Sequence, residues 1–136
     1  MTQECKDLLL KDLCARLPYG VKCEIKDKNR VYTLNRIEVD HKNGHLFDFR
    51  TKEMDLVCMF ILSEIKPYLF PQSSMTEEQQ KDLAKFVANG IYDENILYDW
   101  FNKNHFDYRG LIPMGLANDA TGLNIYSYEQ EPEKND

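Results

Sequence analysis

The chain has 136 residues and a mass of 16.1 kDa, which matches one domain of ordinary size. It is 43% hydrophobic and 29% charged, with six glycines and five prolines, and this composition excludes collagen-like, coiled-coil and wholly disordered chains. The net charge of −6 argues against direct binding to nucleic-acid phosphates.

The first elements along the chain are predicted to be a helix and a half-buried strand. Thr2 suits the N-cap of the helix, whose apolar residues recur at helical spacing until Pro18 ends the pattern. Residues 21–26 then alternate apolar and charged side chains, as strands with one buried face do. This pattern places Lys22 on the polar face of the strand.

Two further strands are expected to extend this strand into an antiparallel meander. Residues 31–39 indicate the second strand, and their apolar side chains change parity, so we expect a bulge near residues 35–36. The dipeptide Asn43-Gly44 is the strongest signal in the chain for a tight hairpin turn. The third strand is predicted over residues 46–50.

The apolar run over residues 54–65 is compatible with either a buried strand or a buried helix, because periodicity does not separate the two. We favour a central strand that runs to about Leu62 and is covered on both faces. The two prolines of residues 66–71 then predict an extended stretch. In such a stretch Tyr68 and Leu69 point to opposite sides, so one of them should be buried.

Two helices are predicted in the second half of the chain. Ser74 and Thr76 are both suited to cap the first, over residues 77–89, because each is followed three residues later by Glu or Gln. Asp93 suits the N-cap of the second, over residues 94–104. The side chains expected to be buried are Leu83, Phe86, Val87, Ile96, Leu97, Trp100 and Phe101.

These elements predict one α+β domain over residues 1–126. It would contain an N-terminal helix and an antiparallel β-meander of about three to four strands, packed against two or three C-terminal helices. Residues 124–126 are expected to add a short closing strand. Residues 127–136 carry four acids and one lysine and lack the apolar side chains that offset the entropy of ordering, which predicts a disordered tail.

The four cysteines, Cys5, Cys14, Cys23 and Cys58, include no C-x-x-C pair of the kind that binds zinc or undergoes redox cycling. Each lies in an apolar pattern, where a thiol is expected to act as a small buried hydrophobe. The N-terminal residues do not resemble a signal peptide, and the apolar runs are far shorter than the roughly 20 residues that span a bilayer. We therefore expect reduced thiols, a cytoplasmic location and no membrane partner.

His105, Asp107 and Arg109 offer the groups of a small catalytic site. In that interpretation His105 is a general base oriented by Asp107, and Arg109 holds an anion. In the structural interpretation, Asp107 caps the following turn and His105 hydrogen bonds a backbone carbonyl near a helix end. We favour the structural interpretation, whereas a cavity shared by His105 and Arg109 would favour catalysis.

Asp40, His41 and His45 combine a carboxylate with H-x-x-x-H spacing, which can bind a divalent metal when both histidines lie on one face of a helix. Here Asn43-Gly44 lies between the histidines, so we interpret these residues as a solvated hairpin turn. The sequence contains no glycine-rich phosphate loop, nucleophile elbow or H-E-x-x-H motif. We expect no metal and no cofactor.

Aromatic side chains are concentrated in the second half of the chain. Acidic residues outnumber basic ones between residues 67 and 110, so the rings are not interleaved with the cations that a nucleic-acid surface requires. We expect the rings to form core or, where they are exposed, a patch that binds protein. The residues selected as binding candidates are Tyr68, Phe70, Tyr108 and Arg109.

Two segments resemble a known family. Residues 66–78, KPYLFPQSSMTEE, resemble a KPYLRPLSSMTEEE-type segment; residues 105–112, HFDYRGLI, with GLA at 115–117, resemble an HFDYRGLI…GLA segment. Such segments are typical of small uncharacterised proteins of bacteriophages, prophages and mobile elements of Bacteroidetes. Phe70 and Gln72 stand where the family pattern has a basic and an apolar residue. The resemblance implies a phage or prophage accessory protein in a bacterial host cytoplasm, and it assigns no catalytic residues.

The leading hypothesis for function is a non-enzymatic accessory module that binds another protein, either a phage or a host factor. Small size, acidic character and the lack of catalytic motifs support it. The alternative is a small hydrolase or nuclease that uses His105, Asp107 and Arg109. A third hypothesis, an acidic decoy for a DNA-binding protein, is weaker because residues 127–136 hold half of the net negative charge.

Overall fold

The computed structural model describes residues 1–40, 42, 44–59, 61–88 and 94–126. These residues form three α-helices and six strands. They are α1 (Gln3–Arg16), β1 (Lys22–Ile25), β2 (Tyr32–Asp40), β3 (Gly44–Arg50), β4 (Leu56–Met59), β5 (Ile65–Leu69), α2 (Glu77–Ala88), α3 (Glu94–Lys103) and β6 (Asn118–Asp119). The predictions for Asn43, Asp93, the side chain of Val87 and residues 127–136 lie outside the described part of the chain.

The strands form one sheet in the order β4-β3-β2-β1-β5-β6. Neighbouring strands are antiparallel except β5 and β6, which are parallel. The α+β class with an N-terminal helix and C-terminal helices is confirmed, and β1 to β4 form an antiparallel meander. The sheet nevertheless has six strands rather than the three to four predicted, and β6 pairs with β5 in parallel. The sequence pattern did not predict β5 or β6 as strands of the sheet. β5 contains a proline, which argues against a strand, and β6 has only two residues. None of the described helices is long and apolar enough to cross a membrane.

Helix α1 covers one face of the sheet and begins at the predicted residue. The hydroxyl oxygen of Thr2 accepts a hydrogen bond from the backbone N–H of Cys5 at 3.1 Å, which is the expected N-cap. Leu9 and Leu13 are fully buried against the sheet. The core they join contains Val21, Cys23, Ile25, Tyr32, Leu34, Phe47, Phe49, Ile65, Leu69, Leu111, Leu116 and Ala117.

The opposite face of the sheet, called the outer face below, carries a row of polar and apolar side chains. Lys22 of β1, Thr33 of β2, Arg50 of β3 and Leu56 of β4 are successive cross-strand partners. Partners across neighbouring strands share a face, and each of these residues alternates with core residues of its strand. The row therefore runs across four strands on the side of the sheet that α1 does not cover.

Strand β2 contains the predicted bulge. The register with β3 shifts between Leu34 and Arg36, which leaves Asn35 as the extra residue. Beyond the bulge Ile37 pairs with Phe47, a core residue. The bulge therefore keeps Ile37 on the core face although its parity in the sequence has changed.

Residues 54–65 do not form the central strand predicted from their hydrophobicity. β4 covers only Leu56–Met59 and lies at the edge of the sheet. Leu56 is 56% exposed and Ile61 is 53% exposed, and a short 3₁₀ turn at Leu62–Glu64 leads into β5. Hydrophobicity does not distinguish an edge strand from a central one, because that position depends on the order of strands in the sheet.

The proline-containing stretch is extended, as predicted, and most of it forms β5. Pro67 pairs with Cys23 of β1. Leu69 is fully buried, whereas Tyr68 is half-buried, which confirms the expected alternation.

Helix α2 begins with a reciprocal capping box at Thr76. The Thr76 hydroxyl accepts the backbone N–H of Gln79 at 3.1 Å, and the Gln79 side-chain oxygen accepts the backbone N–H of Thr76 at 2.9 Å. Ser74 does not cap the helix, because its hydroxyl donates to the backbone carbonyl of Pro71. Of the two predicted caps, only Thr76 is correct.

Both C-terminal helices are less buried than predicted. Phe101 is buried, but Ile96 is exposed. The half-buried residues are Leu83, Phe86, Leu97 and Trp100. Helical spacing indicates that a helix has an apolar face, but it does not indicate how much of that face the neighbouring elements cover.

Lys22 lies on the outer face, as the alternation predicts, but it is only 2% exposed, and its backbone N–H donates to the Tyr126 hydroxyl. Two local predictions are wrong. The thiols of Cys14 and Cys58 are exposed. Residues 124–126 do not form a strand, and the sheet is closed instead by β6.

Candidate functional site

Asp107 organises the turn that follows it. One carboxylate oxygen accepts the backbone N–H groups of Gly110 and Leu111, both at 3.0 Å, and the other accepts the N–H of Ile112 at 2.9 Å. Hydrogen bonds to a charged acceptor are stronger than those between neutral groups. Asp107 is buried, and both of its carboxylate oxygens accept backbone hydrogen bonds. The carboxylate therefore caps the turn, as the structural interpretation expects.

His105 is almost fully buried. Its backbone has a φ of +61°, its carbonyl oxygen accepts the N–H of Phe70 at 2.8 Å, and its ring stacks on Tyr126 with centroids 3.8 Å apart. The backbone N–H of His105 donates to the carbonyl oxygen of Asn102 at 3.2 Å, which is the expected bond near the helix end, whereas the buried Nδ1 atom has no hydrogen-bond partner in the described chain. Burial, together with the positive charges of Arg16 and Lys22, lowers the pKa of His105 to about 3. The ring is therefore neutral near pH 7.

Arg109 belongs to a buried ion network with α1. Its Nε donates to Asp12 Oδ1 at 3.2 Å, and the Nε of Arg16 donates to Asp12 Oδ2 at 2.9 Å. Arg16 also donates to the carbonyl oxygen of Phe106 at 2.6 Å. Burial raises the pKa of Asp12, although the two arginines oppose this effect. The network ties α1 to the segment that follows α3.

Asp12 and Arg16 were not among the residues expected to be functional. Their i, i+4 spacing on α1 is the available signal, but such pairs normally lie on the exposed side of a helix. Here both side chains are fully buried. The burial of Asp12 and Arg16 is explained only by the tertiary structure, which places Arg109 and the backbone carbonyl of Phe106 beside them.

The cavity that His105 lines is not lined by the other two candidate catalytic residues. His105 lines a cavity of about 230 Å³ together with Phe70 and Tyr126. Asp107 and Arg109 are not among its lining residues. This arrangement gives no support to a hydrolase or nuclease built on the three residues.

The four binding candidates are all half-buried. The Arg109 guanidinium lies 4.6 Å from the centre of the Tyr108 ring. The Phe70 ring lies 5.8 Å from that of Tyr126, whose hydroxyl donates to the backbone carbonyl of Tyr68. These contacts show that the aromatic candidates take part in internal packing.

The metal candidates are only partly described. His41 and the side chain of Asp40 lie outside the described residues. His45 is a half-buried residue of β3 whose ring centroid lies 6.3 Å from that of Phe47. Among the described residues, no group of three or more His, Cys, Asp or Glu side chains is placed to hold a metal ion.

The free edge of β4 is a surface that the sequence pattern did not predict. The strand reads Leu-Val-Cys-Met, without a charge or a proline, and in the described chain it pairs only with β3. Alternate N–H and C=O groups of an edge strand point away from its neighbour and can pair with another strand. Leu56 and Cys58 share the outer face of β4, and both are exposed.

No protein-family model, curated protein or solved structure matches the chain. The resemblance of residues 66–78 and 105–117 to phage and prophage proteins therefore stays a prediction.

Proposed function

We propose that this protein is a non-enzymatic binding module that pairs, through the free edge of β4, with an extended segment of another protein. The observation that carries the proposal is an uncharged edge strand with an exposed Leu56. Natural edge strands usually carry a lysine, a proline or a bulge that prevents pairing. β4 has no lysine or proline, and its register with β3 is regular.

An extended peptide is the occupant that fits this edge. The outward N–H and C=O groups of β4 are best satisfied by a strand added to the sheet, and this supplies affinity through the main chain. Leu56 and Cys58 add apolar surface on the outer face. The partner segment should therefore place an apolar side chain on that face.

The proposed context is a phage or prophage accessory role in a bacterial cytoplasm. It follows from the resemblance of residues 66–78 and 105–117 to that family. The net charge of −6 favours a protein over a nucleic acid as the partner. The partner in this context is a phage or host protein.

A peptide-display library of extended, alternating sequences, selected on the full chain, tests the proposal. Leu56→Lys places a charge on the edge strand, and Leu123→Lys is the matched control because Leu123 is 50% exposed and lies outside the sheet. We expect the selected peptides to bind Leu56→Lys at least about tenfold more weakly and to bind Leu123→Lys normally. Hydrogen exchange of the amides of residues 56–59 should slow when a peptide is bound.

Two results would overturn the proposal. Peptides that bind both variants equally, or that leave the exchange of residues 56–59 unchanged, would show that the edge is not the binding surface. A dimer of the free protein that Leu56→Lys abolishes would show that the edge pairs with a second copy instead. Thermal melts of both variants check that each one is folded.

A further inference from the structure

The cavity that His105 lines, called the His105 cavity below, is formed by separate parts of the chain. Phe70 follows β5, Gln79 lies in the first turn of α2, Asn104 and His105 follow α3, and Tyr126 lies beyond β6. The volume of the cavity is about 230 Å³. Because a cavity of about 150 Å³ binds benzene, the His105 cavity has room for a planar ligand of about nine or ten non-hydrogen atoms.

The imidazole of His105 is a buried polar group without a protein partner. The residue is only 7% exposed, and no described residue forms a hydrogen bond with either ring nitrogen. Buried polar groups nearly always have a hydrogen-bond partner, so an unpaired one in the lining of a cavity indicates a ligand. Nδ1 is sealed from solvent, whereas Nε2 is not. An unpaired donor is rarer inside proteins than an unpaired acceptor, so we assign the proton of the neutral ring to Nε2.

The fold holds the imidazole in place before any ligand arrives. The backbone carbonyl of His105 accepts the N–H of Phe70 at 2.8 Å, and its own N–H donates to the carbonyl of Asn102 at 3.2 Å. One face of the ring stacks on Tyr126, with centroids 3.8 Å apart. A side chain that is already ordered loses little conformational freedom when it binds a ligand, and this favours binding.

Two amide side chains give the His105 cavity a further donor and a further acceptor. The Gln79 side-chain oxygen accepts the backbone N–H of Thr76, and its NH₂ group has no partner among the described residues. Nδ2 of Asn104 donates to the carbonyl of Trp100 at 2.9 Å, and the Oδ1 atom of Asn104 has no partner in the described chain. The polar groups left for a ligand are therefore the N–H of His105, the NH₂ of Gln79 and the oxygen of Asn104.

An aromatic ring and these polar groups together match the chemistry of a nucleobase. The Phe70 ring belongs to the lining, and nucleobases stack on aromatic side chains. Adenine presents a ring-nitrogen acceptor beside an amine donor, and asparagine and glutamine side chains pair with both. An uncharged base is also compatible with the net charge of −6, which disfavours phosphate-rich ligands.

From these observations we propose that the His105 cavity binds a nucleobase that carries an exocyclic amine, with adenine as the best fit. His105 and Gln79 donate to ring nitrogens of the base, and Asn104 accepts from its amine. Free bases and nucleosides share this chemistry. The site goes beyond the proposed pairing at β4 and does not depend on it.

An NMR titration of the full chain with adenine and cytosine tests the proposal. Indole is the control ligand, because it has a bicyclic ring like that of adenine but no ring-nitrogen acceptor. We expect saturable shifts of the side-chain amides of Gln79 and Asn104 with adenine, and none with indole. Adenosine distinguishes the two sources of the base: binding as tight as that of adenine assigns a nucleoside, and weaker binding assigns the free base.

Gln79→Glu is the variant that tests the contact without removing the cap of α2. Glutamate keeps the oxygen that accepts the Thr76 N–H and loses the NH₂ donor. We expect it to weaken adenine binding about tenfold or more, as the loss of one hydrogen bond does. Gln80→Glu is the matched control, because it makes the same change of charge at an exposed residue outside the described lining. Thermal melts check that both variants are folded.

Four outcomes would contradict the proposal. The first is the absence of saturable shifts with both bases. The second is binding of indole as tight as that of adenine, which would make the cavity a purely apolar site. The third is equal weakening by Gln79→Glu and Gln80→Glu, which would place the base elsewhere. The fourth is binding of a single-stranded oligonucleotide without binding of any free base or nucleoside.

Discussion

The side-chain hydroxyl of Tyr126 accepts a hydrogen bond from the backbone N–H of Lys22 at 2.9 Å. The same hydroxyl donates to the backbone carbonyl of Tyr68 at 2.8 Å. Lys22 and Tyr68 lie on β1 and β5, directly beyond the pair formed by Cys23 and Pro67. The tyrosine thus bridges two strands where their antiparallel pairing ends.

We expect Tyr126→Phe to lower the free energy of unfolding by about 1–3 kcal/mol, because it leaves a buried donor and a carbonyl acceptor without their partner. Urea denaturation measures the change. Tyr98→Phe is the control, since Tyr98 is 42% exposed and should alter stability by less than about 0.5 kcal/mol. Equal stability of the two variants would show that the bridge contributes nothing.

Asp107→Ala should destabilise the protein by about 2–4 kcal/mol, because three backbone N–H groups lose a charged acceptor. Asp82→Ala is the control, since Asp82 forms an exposed ion pair with Lys85 and should cost under about 1 kcal/mol. Thermal and urea unfolding report both changes. An unchanged stability of Asp107→Ala, together with loss of a measurable activity, would instead support a catalytic role for this carboxylate.

His105 should make the stability of the protein depend on pH. Its folded pKa of about 3 lies below the ordinary value of 6.5, so the unfolded chain binds a proton that the folded chain does not. The contribution of His105 to the free energy of unfolding is fully present above pH 6.5, and it is lost as the pH falls toward 3. The free energy of unfolding should therefore fall between about pH 7 and pH 5, where most carboxylates remain ionised.

The matched variant for this effect is His105→Asn. Asparagine tolerates the positive φ at this position and does not titrate. We expect a flatter dependence of stability on pH in the variant than in the parent, whatever the difference in absolute stability. Parallel curves for the two proteins would show that His105 is protonated equally in the folded and unfolded states.

Asp12→Ala should cost about 3–5 kcal/mol, because it leaves the buried charge of Arg16 without its carboxylate. Asp7→Ala provides a control on the same helix, since Asp7 is exposed and accepts a hydrogen bond from Gln3. The midpoints of urea unfolding give the comparison. Similar midpoints for the two variants would mean that the network does not stabilise the fold.

Features that depend on neighbours in the chain could be predicted from the sequence alone. The Thr2 cap, the bulge near residues 35–36 and the capping box at Thr76 all involve residues within a few positions of one another. The turn held by Asp107 also belongs to this group, because its three bonds reach residues three to five positions ahead. Short-range hydrogen bonds and side-chain periodicity act before any tertiary contact forms, so the sequence determines them directly.

Features that depend on distant parts of the chain were decided only by the tertiary structure. Lys22 is buried beside Tyr126, 104 positions away, whose hydroxyl accepts its backbone N–H. Asp12 is buried beside Arg109, 97 positions away, whose Nε donates to its carboxylate. Whether β4 lies at the centre or the edge depends on which strands pair, and nothing in its apolar composition indicates that order. A charge can be buried only where partners offset its desolvation, and those partners come together only when the chain has folded.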